Sequence, residues 1–178
     1  HAVMNYAFTD AIIEYFVKDE ISMTKMVSEL NNQLMLYREQ TNQVQFNILD
    51  SHDTPRLLTL ARGDKDLMRQ VMAFTYLQQG VPCLYYGDEI GLTGDMDPDC
   101  RKCMIWDEEK QDRDLLHFTQ SLIKLRKDNQ KVLSEGSLSW NWVSEEDGLI
   151  IFERELGAQR IIGIFNTGED QLTLSRPD

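Results

Sequence analysis

Residues 46–56 read Phe-Asn-Ile-Leu-Asp-Ser-His-Asp-Thr-Pro-Arg, and no other stretch restricts the fold of this chain as tightly. Val44, Phe46, Ile48 and Leu49 make an apolar run suited to a short buried strand. Thr54-Pro55 stops regular structure at once, because proline has no N–H and pushes the residue before it out of the helical region. Asp50, His52, Asp53 and Arg56 are therefore expected at the carboxyl end of a strand. The pattern recurs downstream. Gly80-Val81-Pro82 leads into the apolar run Cys83-Leu84-Tyr85-Tyr86, which closes on Gly87-Asp88-Glu89. Between the two runs, Leu67, Met68, Val71, Met72, Phe74 and Leu77 predict a largely apolar helix over 65–78, with Asp64 as its cap. Two strands that each feed a helix, with acids at both carboxyl ends, fit consecutive βα units of an α/β barrel, whose active sites are built at that end.

The flanking segments extend this reading. Ala11, Ile12, Tyr15 and Phe16 recur at helical spacing, and Met26, Val27, Leu30, Leu34 and Tyr37 predict a helix over 24–40. A further helix is expected over 112–128, with His117 beside its apolar face as a structural histidine. From Val132 the texture changes. Turn signals at Gly136, Gly148, Gly157 and Gly168 separate short runs at 138–143, 149–155, 160–166 and 172–174, the pattern of an antiparallel sheet. The expected organisation is a barrel portion over residues 1–130 and the start of an all-β domain over 131–178. Two-residue alternation places Trp140 and Trp142 on one face, either packed against the barrel helices or free to stack on sugar.

Charge narrows the partners. Across 178 residues, 18 basic and 30 acidic side chains leave a net charge of −12. Nucleic acid and anionic membranes select basic surfaces, so neither is expected as a partner. No apolar run is long enough to cross a bilayer, and residue 1 begins no signal peptide. Cys83, Cys100 and Cys103 are an odd set, read as reduced thiols in a cytoplasmic protein. The Cys100-x-x-Cys103 spacing lacks the second ligand pair that a zinc site needs, so no metal site is assigned.

Residues 47–56 resemble the seventh-strand motif of the α-amylase superfamily, in its neopullulanase, cyclomaltodextrinase and maltogenic amylase branch. Val-Pro-Cys-Leu-Tyr-Tyr-Gly-Asp-Glu-Ile-Gly over 81–91 resembles the eighth strand, Ala-Val-Met-Asn-Tyr over 2–6 the sixth, and residues 97–106 the Asp-Pro-x-x-Arg…Met-x-Trp segment. The resemblance implies an α/β fold: a partial TIM (β/α)8 barrel, strands six to eight with their helices, followed by part of an antiparallel β-sandwich domain. It implies that Asp53 is the third catalytic carboxylate and His52 a ligand of substrate hydroxyls. Asp97 and Arg101 would hold the non-reducing end of the substrate, with Asp88 and Tyr6 as further substrate-binding candidates. Plainer readings stand beside these: a buried or helix-capping role for Glu89 next to Asp88, a loop ion pair for Asp97 and Arg101, a helix cap for Asn5 beside Tyr6.

The implied activity is retaining hydrolysis of α-1,4 and, in one variant, α-1,6 glucosidic bonds in maltooligosaccharides, cyclodextrins or pullulan. Retaining hydrolysis needs a nucleophile and an acid roughly 5 Å apart. In this family they come from strands four and five, and neither motif is found here. The chain is therefore expected to be a carboxyl-terminal portion, inactive alone and self-associating as a homo-oligomer, with an α-glucan oligosaccharide as its partner. No cofactor is expected within these residues; calcium is an expectation only for the part of such a barrel that precedes them. The alternative is a non-enzymatic glucan-binding or oligomerising module that uses Trp140, Trp142 and the Arg101 loop.

Overall fold

The computed structural model describes residues 3–168 and 170–173. The barrel-type strands pair in parallel and in chain order. Met4 bridges Phe46, and β1 (Phe46–Asn47) pairs with β2 (Val81–Pro82). Asn5 N–H donates to the Phe46 carbonyl at 2.8 Å, Val81 N–H to Gln45 at 2.8 Å and Cys83 N–H to Asn47 at 2.9 Å. The paired strands are shorter than the apolar runs suggest, and β2 lies ahead of 83–86. The ladder stops at Asn47 because the next groups have other partners. The Thr9 hydroxyl takes the Ile48 carbonyl at 2.8 Å, and Asp50 turns to accept the Leu57 N–H at 2.7 Å. Parallel pairing leaves residues 5–6, 50–53 and 85–88 beyond the same end of the three segments.

The helices form where caps and apolar stripes agree. Asn5 caps α1 (Tyr6–Ile12) by accepting the Phe8 N–H at 3.3 Å, and the helix runs on into a π-helical turn, Ile13–Val17. The single helix expected over 24–40 is two: α2 (Met23–Leu36) and α3 (Glu39–Asn42). Tyr37 and Arg38 between them are extended, and the Asn42 amide donates to the Leu34 carbonyl at 2.7 Å, closing the end of α2. A short α4 (Leu57–Leu60) precedes α5 (Lys65–Leu77), where Asp64 accepts the N–H groups of Asp66 and Leu67 at 2.9 Å each. Asp112 caps α6 (Arg113–Asp128), and α7 (Gln130–Glu135) follows. His117, expected beside the apolar face of α6 as a structural histidine, is exposed. None of the described helices is long and apolar enough to cross a membrane.

The last elements, β3 (Ser137–Ser144), β4 (Leu149–Leu156) and β5 (Gln159–Asn166), form an antiparallel sheet in the order β3-β4-β5. Of the run expected at 172–174, residues 172 and 173 form no strand, and residue 174 lies outside the described residues. One sheet face packs on the helices around Phe74 of α5. Its ring lies 5.5 Å from Phe152, 5.2 Å from Phe165 and 5.1 Å from Phe16. The tryptophans do not share a face. A bulge shifts the β3–β4 register between Trp140↔Phe152 and Trp142↔Ile151, and one extra residue turns the side chains that follow it over. Trp140 stacks inward, 6.3 Å from Phe74, with its indole N–H on Asn31 at 2.9 Å. Trp142 faces outward and is exposed, so no two-ring platform forms.

A buried arginine, Arg154, fastens the sheet to the barrel portion, and a half-buried one, Arg126, ties α6 to the end of α5. Arg154 of β4 donates to the carbonyls of Leu77 (3.0 Å), Gly136 (2.8 Å) and Ser137 (3.2 Å). Arg126 of α6 donates to those of Tyr76 (2.7 Å) and Gln78 (2.9 Å), and also to Gly80. Together they satisfy acceptors that the end of α5 leaves open.

Candidate active site

The residues beyond β1 divide into an exposed set and a buried set. In the exposed set, Asp53 is held from both sides. Its Oδ2 lies 3.1 Å from His52 Nε2, and its Oδ1 accepts from Arg101 Nη2 at 3.1 Å. Arg101 Nε pairs with Asp97 at 2.9 Å. Four predicted site residues, distant in sequence, thus form one chain of contacts: His52, Asp53, Arg101, Asp97. The turn beneath them is local. Asp53 N–H donates to the Ser51 hydroxyl at 3.1 Å, and Ser51 N–H to the Thr54 hydroxyl at 2.9 Å. The Asp53 side chain is 58% exposed and that of Arg101 46%. An ion pair so open is worth at most about 1 kcal/mol, so it orients the carboxylate rather than stabilising the fold.

The buried set lies directly below. Arg56 is fully buried. Its Nε donates to the Cys100 carbonyl at 3.0 Å, and its Nη1 to the Tyr86 carbonyl at 2.7 Å and to Asp88 Oδ1 at 3.1 Å. The guanidinium also lies over two aromatic rings, 4.3 Å from the centre of Tyr85 and 4.7 Å from that of Tyr86, an arrangement that favours a cation. Asp50, which accepts from Leu57 N–H, lines the same small interior cavity as Asp88. Burial, then the Asp50 charge and hydrogen bond, push the Asp88 carboxyl well above the usual carboxylate range, against the pull of Arg56. Burial raises the Asp50 carboxyl as well, offset by its hydrogen bonds from Asp88 and Leu57.

This corrects one expectation. Asp88, a substrate-binding candidate by sequence, is 3% exposed and committed to Arg56 and Asp50. A sugar hydroxyl at the surface has no path to it. Tyr6 stands at the start of α1, 41% exposed, and no hydrogen bond among the described residues joins it to the Asp53 group. Glu89 accepts the Gly87 N–H at 2.7 Å and so closes its own turn. The two ends of the C-x-x-C separate: Cys100 is buried with its thiol on the His52 carbonyl at 3.2 Å, whereas Cys103 is exposed.

Residues 1–136 match the family described as alpha amylase, catalytic domain. The chain belongs to the α-amylase family. Over 168 residues, 94% of the chain, it is 49% identical to the intracellular maltogenic amylase of Bacillus subtilis strain 168. It is 39% identical, over 96% of its length, to the cyclomaltodextrinase of Thermoanaerobacter pseudethanolicus. It spans 29% of the length of each of these relatives. A solved cyclomaltodextrinase superposes with a TM-score of 0.88 at 43% identity, over 93% of this chain and 28% of that one. A maltogenic amylase from S. marinus gives 0.90 at 28% identity, over 97% and 25%. The fold is accordingly a part of the α-amylase family's barrel together with part of its β-sandwich domain.

The buried support of this α-amylase-family site was not assigned by sequence. Arg56 and Asp50 were read with the exposed pair, as polar groups at one strand end. One signal was available: both flank the Ser51–Pro55 turn within apolar sequence, Leu49 before and Leu57-Leu58 after. Charged residues in such a setting are either strand-end ligands or buried partners of each other, and only the position of Asp88 decides between the two.

Proposed function

We propose that the chain carries the transition-state-stabilising carboxylate of a retaining α-glucan hydrolase that cleaves α-1,4, and in one variant α-1,6, bonds of maltooligosaccharides, cyclodextrins or pullulan. The observation that carries this reading is the Asp53 carboxylate, presented on the exposed rim and gripped by His52 and Arg101. Glycosidic cleavage builds positive charge on the sugar ring. A carboxylate about 4 Å away, at an effective dielectric near 20, stabilises that charge by roughly 4 kcal/mol. The contribution grows only once sugar covers the rim and displaces water, since the group is open to solvent in this structure. His52 donates to a sugar hydroxyl, and Arg101 with Asp97 forms the subsite for the non-reducing end, where a planar fork of donors meets hydroxyl oxygens. Tyr6, at the same strand end, lines the approach. The nucleophile and the general acid come from elsewhere in the complete gene product, so these residues alone turn over no substrate.

We further propose that residues 1–130 belong to the catalytic barrel and 131–178 to the β-rich domain, that the protein acts in the cytoplasm, and that it self-associates. The name of the B. subtilis relative supports the compartment. The test is Asp53→Asn in the complete gene product, assayed on β-cyclodextrin and maltotriose. The expected result is a fall in kcat of about 10²–10³ with an unchanged melting temperature. Activity within about threefold of wild type would overturn the assignment.

A further inference from the structure

Asp53 is set in a turn whose two ends are buried charges. Asp50 precedes the turn and Arg56 closes it, and both reach into the same interior cluster. Arg56 also holds the carbonyl of Cys100, the residue before Arg101, and the thiol of Cys100 holds the His52 carbonyl. Arg56 N–H donates to Gly94, at the start of the loop that carries Asp97 and Arg101. The two loops that supply the exposed site thus meet on a single guanidinium.

We infer that Arg56 and the Asp50–Asp88 carboxyl pair are positioning residues that fix Asp53 and Arg101 relative to each other. The inference rests on the reading of Asp53 given above and adds the interior unit that aims it. None of the three touches substrate. Charge arithmetic sets their state. One guanidinium faces two buried carboxyls, and only one of these can ionise without leaving net negative charge in the interior. The pair therefore shares one proton, and the Leu57 N–H donated to Asp50 favours leaving that proton on Asp88. The other titratable groups around Asp88 are Tyr85, Tyr86 and Glu89 of its own loop, Cys100 of the next loop, and Tyr76 of α5 with Cys83 nearby. Among the described residues, Arg56 is the cation in direct contact with Asp88, while Arg126 lies beyond Tyr76, on whose carbonyl it is held. Arg56 Nη2 is buried without a hydrogen-bond partner among the described residues. Its geometry thus serves the two loops before it serves its own donors.

The test uses the complete gene product as wild type, Asp50→Asn, Asp88→Asn, the double Asn variant and Arg56→Lys. Infrared spectra should show the carbonyl stretch of an un-ionised carboxylic acid at neutral pH in wild type, and its loss in Asp88→Asn. An amide mimics a carboxyl that keeps its proton. Each single Asn variant should therefore hold kcat on β-cyclodextrin within about threefold, while the double variant, with Arg56 uncompensated, falls about a hundredfold. In Arg56→Lys, amide exchange over residues 51–54 and 95–102 should quicken at least about tenfold, with α5 unchanged. Absence of the infrared band, a single Asn variant as damaged as the double, or exchange rising equally in α5 would each overturn the inference. If wild type hydrolyses no α-glucan, the proposed function fails by itself, and the infrared and exchange results still decide the positioning unit.

Discussion

Asp53 and Asp88 are the same residue type, each seven positions past a residue of the paired ladder, Phe46 and Val81. One is exposed and pairs with exposed partners; the other is buried and shares a proton. Sequence indicated that both lie at strand ends, because alternation and proline are local signals. It could not tell which faces water, because that depends on Arg56, whose long side chain bridges 32 residues to reach Asp88. Two predictions belong here. Arg101→Gln removes the fork that meets Asp53 and Asp97 but no buried contact. KM for maltotriose should rise about tenfold or more while the melting temperature moves little. Asp88 binds its proton more tightly folded than unfolded, where its value is 3.8. Above that value the native state holds the extra proton, so stability falls as pH rises toward the folded value. Asp88→Asn should flatten this slope in urea midpoints measured from mildly acidic to alkaline pH. An unchanged slope would mean that the carboxyl is already ionised.

At the scale of elements, the parts built by short-range rules were legible. Asp64 before an apolar helix, and three β-runs separated by glycine turns, fall within a residue or two of α5, β3, β4 and β5. What escaped depends on distant partners. Tyr37 and Arg38 break the long helix because Asn42 returns to Leu34, and the bulge in β3 lets Trp140 reach both Phe74 and Asn31. Asp64→Ala should cost about 1 kcal/mol of stability by urea denaturation, the usual worth of a side-chain cap. Phe74→Ala should cost roughly 3–5 kcal/mol, since four rings close on it. Gly87 has φ +90, and a Cβ there would stand 2.7 Å from Leu92 Cδ2. Gly87→Ala should therefore disturb the turn carrying Asp88 and lower kcat along with stability.

Among the described residues, exposed apolar side chains include Phe46 and Val81 of the parallel strands, Trp106 of the following loop, and two further groups. Met35 and Leu36 protrude at the end of α2, and Trp142, Ile162 and Ile164 line the outer face of the sheet. Exposure of this kind favours association. Light scattering of Trp142→Ser with Ile164→Ser should show a smaller average mass than the parent at equal concentration; equal masses would place the contact elsewhere.

The boundary near residue 130 looked clean in sequence because turn density changes there. The arginine fastening makes it less so. Leu77 and Gly136 await a donor that the ribosome supplies only at position 154. A nascent chain stalled or cleaved between the two would carry a helix tail with naked acceptors, and would be prey for proteases until β4 emerged.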